Sequence, residues 1–179
     1  MRRSLWLARC GLLGALALIG GLLEQLIPAL PILPPGARPG IGNIAVLAAG
    51  ASLGPAGAIV VALIKALFAL FTRGATAFLM SGIGGLLSTI VMLLLLRCNV
   101  FGPVGIGVGG AAAHNLGQIL VACILFTPGM LYYLPWMLVF SVLTGCLTGI
   151  LFGLLRPQLE RLVGREGRHI AADEHQDRT

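Results

Sequence analysis

The 179-residue chain is 58% hydrophobic and only 10% charged, with a mean hydropathy of +0.99. A soluble domain carries about 25% charged residues, so this chain cannot cover its own surface in water and needs lipid as its solvent. The net charge of +6 does not make it a nucleic-acid binder, because its basic residues gather at the two ends (Arg2, Arg3 and Arg9; Arg156, Arg161, Arg165 and Arg168) and form no face with interleaved aromatics.

A bilayer-spanning helix needs roughly 20 apolar residues. The first runs over residues 5–23 and stops at Glu24 and Gln25. Its start imitates a signal peptide, but Arg9 stands where a cleavage site wants a small residue, so the segment reads as a retained helix. A connection with five prolines follows, from Pro28 to Gly40; proline lacks the backbone donor and clashes with the preceding turn, so no helix continues there. Residues 41–53 predict a short second helix, Gly54-Pro55 a tight turn, and residues 56–71 a third helix with Lys65 inside it. Residues 77–96 predict a fourth helix, ended by Arg97-Cys98-Asn99. The glycine- and valine-rich stretch from Phe101 leads into a fifth, residues 104–126, with a loosened start. After Thr127-Pro128-Gly129, residues 130–155 form a sixth that begins with the interfacial aromatics Tyr132, Tyr133 and Trp136. The expectation is an all-α membrane protein, a bundle of about six transmembrane helices over residues 1–157, with a polar cytoplasmic tail at 158–179 too poor in apolar residues to order itself. Six crossings put both termini on one side. That side holds most arginines, and the positive-inside rule makes it the cytoplasm.

Ionisable and strongly polar groups inside a membrane cost roughly 2.5–3.5 kcal/mol on insertion scales and are functional suspects. Glu24 is the one acid before Glu160. It lies near the outer end of the first helix, where it acts as an interfacial cap, pins Arg38, just past the proline-rich connection, as part of a lid, or joins Arg38 in contacting a substrate. Lys65 sits mid-helix, on one face with Thr72, and either snorkels or contacts a ligand. Arg73 marks the following polar break. Asn43 is a helix N-cap or a ligand contact. The densest feature is His114-Asn115-Leu116-Gly117-Gln118: three hydrogen-bonding side chains within about one turn, either an interhelical cluster or a solute or ion site. Glycines 102, 105, 107, 109 and 110 just before it let backbone approach a ligand or another helix. In the first helix the small residues Gly11 with Ala15 and Ala17 with Gly21 recur four apart, for packing within the bundle or for docking on a partner. Cys10, Cys98, Cys123 and Cys146 show neither zinc-ligand spacing nor a disulfide framework, and no cofactor or metal is implied.

Several segments together resemble the Gx transporter family, often labelled heptaprenyl diphosphate synthase component I. They are Glu24 with Pro28, the run Pro35 to Asn43, Gly82 to Ser88, His114 to Gln118, and Tyr132-Tyr133-Leu134-Pro135. The family in turn is similar to substrate-binding subunits of energy-coupling-factor transporters. The resemblance implies a small-molecule solute bound from outside under a lid that includes the first connection. It also implies docking of the first helix on a transmembrane coupling protein with ATPase subunits. The chain has no GxxxxGK[ST] loop, so ATP energy would come from that partner. The label's alternative is a membrane component of prenyl diphosphate synthesis. Catalysis there needs clustered acids to hold Mg²⁺ on a diphosphate, and this chain has no aspartate before Asp173. It is therefore expected to be no enzyme by itself.

Overall fold

The computed structural model describes residues 3–26, 38 and 40–176, with side chains as far as Gln158. Five α-helices and one short 3-10 helix make up the described chain: α1 (Arg3–Leu26), α2 (Asn43–Arg73), α3 (Ala75–Cys98), α4 (Pro103–Leu125), the 3-10 helix (Pro128–Tyr133) and α5 (Leu134–Gln176). Each α-helix contains a stretch long and apolar enough to cross a membrane. Among the described residues the bundle thus has five helices able to span a membrane, not six. The expected second and third helices are two arms of α2, and the first of them cannot span by itself. Residues 43–53 reach about 16 Å at 1.5 Å per residue, against a hydrocarbon core of about 30 Å.

The arms meet at Gly54, whose φ of 77° and ψ of −172° break the helix just before Pro55. A positive φ is cheap only for glycine, and proline fits the first turn of the new arm. The turn is a reversal: Lys65 Nζ donates to Asn43 Oδ1 across 22 residues of sequence, a contact that a straight helix of that length would hold about 33 Å apart. The first arm is lined with small residues, and Ala45, Val46, Leu47, Ala48 and Ala49 are all buried. Leu13 of α1, Met92 of α3, Ile106 of α4 and Phe152 of α5 join it in one core cluster. The short arm is therefore the axis of the bundle.

Neighbouring helices fix the directions. Along α1 and the second arm of α2, Gly14 lies by Ile64, Gly21 by Phe68, and Gln25 Nε2 donates to Thr72 Oγ1, so the two run parallel. α3 runs antiparallel to that arm, and α4 to α3, with Gly117 on Gly84 and Gly110 on Met92. α5 returns antiparallel to α4, with Gly145 on Val108 and Gly149 on Val104. Arg3 and Arg156 consequently sit at the same end of the bundle, with the Gly54 turn and Arg97. Leu26, Arg73, Phe126 and the 3-10 helix sit at the other.

Boundaries differ from expectation by a few residues, with two informative exceptions. The glycine-rich start of α4 is regular helix from Pro103, because its glycines serve packing: a methyl group at Gly109 would lie 2.6 Å from Leu95 Cδ1, and one at Gly110 2.5 Å from Met92 Cγ. α5 begins at Leu134, after the 3-10 helix, and its backbone stays helical past Leu155 and through Pro157 to Gln176, where disorder was expected. Most of the proline-rich connection, Pro28 to Pro35 and Pro39, lies outside the described residues.

Candidate functional site

Arg38, Gly40 and Gly42 carry the chain from the connection into the bundle, beside the C-terminal third of α1. A methyl at Gly20 would lie 2.9 Å from Gly42 Cα, and one at Gly42 2.9 Å from the Ala17 carbonyl oxygen. Only hydrogen side chains allow this approach. It places the N-terminus of α2 inside the protein, where the Asn43 and Ile44 amides turn back onto the Gly40 and Ile41 carbonyls and the Gly42 amide needs an acceptor from elsewhere. Glu24 answers it. Its side chain is 2% exposed, and Oε1 accepts the Gly42 N–H at 2.9 Å. A carboxylate at a helix N-terminus also meets the positive end of the helix dipole. The expected interfacial cap is in fact a buried one, reaching from one helix to the start of another. Arg38 Nη1 donates to the main-chain carbonyl of Glu24 at 3.1 Å, so both ends of the connection are tied at one residue.

Asn43 does not cap α2. That position is Gly42, without a side-chain cap, and the Asn43 amide oxygen takes the Lys65 ammonium instead. Lys65 is 6% exposed, and its stem packs on Gly42, with Cδ and Cε 3.3 Å from where a methyl would stand. Lysine and Thr72 do not act together: Thr72 belongs to the Gln25 contact at the helix ends.

Gly40, at φ +83°, brings this segment against α4. A methyl there would lie 2.8 Å from Asn43 Nδ2 and 3.1 Å from His114 Cδ2. His114 and Gln118, one turn apart, are 2% and 3% exposed. Gln118 Nε2 lies 3.4 Å from the Arg38 carbonyl and 3.0 Å from His114 Nε2. The carbonyl is an acceptor only, which assigns the amide nitrogen to that side. His114 Nε2 is then the acceptor of the pair and Nδ1 carries the proton; Nδ1 lies beside Gly84 of α3 and is buried with no hydrogen-bond partner. Gln118 Oε1 is buried with no hydrogen-bond partner, as is Ser88 Oγ one turn along α3.

Asn115 parts company with its neighbours. Its Nδ2 donates to the Met137 carbonyl and to Ser141 Oγ, both at 2.8 Å and both on α5. Its amide hydrogens are spent on holding α5, so the expected trio is a pair, His114 and Gln118, plus a tie. The geometric reason is the step of about 100° between adjacent helical residues. Arg73, at the end of α2, has Nε and Nη1 buried without hydrogen-bond partners. Its charge and those of Lys65 and Arg38 lie within electrostatic reach of one another or of Glu24. Of the small residues of α1, Ala17 and Gly21 are buried, as the packing alternative expects, while Gly11 and Ala15 are exposed. Sequence reading quoted Gly40, Gly84 and Ser88 only within the segments of the family resemblance and gave them no role at the site. Their signal, small residues beside buried polar ones, is indistinguishable along the chain from ordinary packing glycine and serine. Among the described residues, no three His, Cys, Asp or Glu side chains converge as metal ligands would.

Five apolar helices closing around a half-length arm and a buried polar junction define a multi-pass membrane protein. Residues 13–155 match the family model described as heptaprenyl diphosphate synthase component I, and the chain belongs to that family, the Gx transporter family. No curated protein and no solved structure matches it.

Proposed function

We propose that this protein is the substrate-binding membrane component of a small-molecule uptake system energised by a partner. The observation that carries the reading is the junction of Gly40, His114 and Gln118. A bilayer offers no water to satisfy stray polar atoms, yet Gln118 Oε1 and Ser88 Oγ are buried without partners, beside backbone that only glycine permits. Such unmet polar groups in a helix bundle suit a solute that supplies the missing bonds. Arg38 and Gly40, the described end of the connection, lie against Glu24, His114 and Gln118, which supports a lid role for this end of the connection over a site reached from the outer side. Arg3, Arg97 and Arg156 at the opposite end favour both termini in the cytoplasm of a bacterial inner membrane. Gly11 and Ala15, exposed on α1, are the surface offered to a coupling protein. Small molecules retained by protein purified gently from membranes, identified by mass spectrometry, test this directly. A solute present in the wild type and lost from His114→Ala and Gln118→Ala is the expected result. A solute retained equally by both variants would remove the site from α4.

The family name favours a second reading, a membrane component of prenyl diphosphate synthesis. Glu24, the only acid before Glu160, is engaged with Gly42, so the first 159 residues bring no acidic cluster to hold Mg²⁺ on a diphosphate. In that role the chain would anchor or feed a soluble catalytic partner. Purified alone with precursors and Mg²⁺ it should form no long-chain product; robust synthesis would overturn the transport reading.

A further inference from the structure

We propose that the solute held at this junction is a small organic anion, a carboxylate or phosphate that also carries a hydroxyl or N–H donor; the inference rests on the solute-binding function proposed above. Three cations, Arg38, Lys65 and Arg73, approach one acid. Glu24 is the only carboxylate before Glu160 in the sequence, and its Oε1 is given to a backbone amide. Lys65, almost fully buried, is met by the neutral amide oxygen of Asn43. Two guanidinium nitrogens of Arg73 are buried without acceptors. Charge removed from water is costly unless it is paired, and positive charge exceeds negative at this junction. An arriving acid group supplies the missing acceptors for Arg73 and the counter-charge for Lys65, and guanidinium is well suited to carboxylate and phosphate geometry. The unpartnered oxygen at the other side of the junction, Gln118 Oε1, accepts only. The anion must therefore also bring a donor, which sets its two ends apart: acid toward Arg73 and Lys65, donor toward Gln118.

The test uses the full chain in detergent, washed free of solute. The probes are glycerate, glycerol 3-phosphate and uncharged glycerol, each read by melting temperature at constant ionic strength in chloride. One or both acids should raise the melting temperature of the wild type where glycerol does not, and which acid does so separates carboxylate from phosphate. The concentration needed should rise at least tenfold in Arg73→Gln. Ligand-free, Arg73→Gln and Lys65→Met should melt at or above the wild type, since each removes an uncompensated charge. The proposal is overturned if glycerol acts as strongly as the acids, if neither acid exceeds chloride, or if the acid effect survives in Arg73→Gln. A ligand-free drop of several degrees in Arg73→Gln would also overturn it, because the guanidinium would then be paired within the bundle. A neutral or cationic solute that co-purifies with wild type and is lost from His114→Ala would sink the anion while leaving the solute site standing.

Discussion

Where α4 crosses α5, backbone meets backbone. A methyl at Gly149 would stand 2.5 Å from the Pro103 carbonyl and 2.8 Å from Val104 N, and Gly107 faces Gly145 and Gly149 in the same way. Where the Arg38–Asn43 segment crosses α1 and α4, glycines again allow close approach, but the groups brought together are a carboxylate, an ammonium, an imidazole and an amide. In lipid there is no hydrophobic drive between helices, so close backbone packing is itself the source of association. The first crossing applies that packing to stability. The second applies it to enclosing polar groups, some of which stay unsatisfied. Glycine content alone therefore does not mark function; what lies within reach of the missing side chain does.

The sharpest way to break this comparison is to fill the first crossing. Gly149→Leu puts a branched side chain against backbone that cannot swing aside, and overpacking of this kind costs about 1–3 kcal/mol or more. We expect poor yield from membranes and a large fall in melting temperature. An unchanged melting temperature would mean that the α4–α5 contact is not what holds the bundle.

Asn115→Ala should come next. It removes the donor to Met137 O and Ser141 Oγ and should cost about 1 kcal/mol, the scale of interhelical hydrogen bonds in membranes. Because Asn115 faces α5, solute affinity of the folded variant should match the wild type. Lost affinity at unchanged stability would return Asn115 to the binding site.

His114→Ala and Gln118→Ala invert that pattern. Each should weaken solute binding by about 0.5–1.5 kcal/mol and leave ligand-free melting within a degree or two. If melting and affinity fall together, the pair is a structural tie like Asn115 and the contrast between the two crossings disappears.

The smallest effect on the isolated chain should follow Gly11→Leu or Ala15→Leu. A methyl at Gly11 meets nothing within 4 Å, and exposed substitutions usually stay within about 0.5 kcal/mol. Melting should not move, while uptake by cells should drop as the larger side chain blocks the coupling partner proposed for this face. Normal uptake would leave that face of α1 to lipid.

The sequence by itself determined the solvent, the class and most of the inventory. Low charge and long apolar runs force a helical membrane bundle, because only helices satisfy their own backbone without water. The cost of an intramembrane polar group singled out Glu24, Lys65, Arg73, His114 and Gln118 before any contact was known. Gly54-Pro55 was legible as a turn because proline and positive-φ glycine act locally. Tertiary structure alone decided the rest. It made residues 43–53 the buried axis of a five-helix bundle, since hydropathy reports a preference for lipid or core without telling them apart. It also turned Asn115 away from His114 and Gln118, set Glu24 on the Gly42 amide, and divided the small residues of α1 into an inward and an outward face. Periodicity tells which residues share a helix face; which neighbour that face meets depends on how distant segments pack, and that information is not local in the chain.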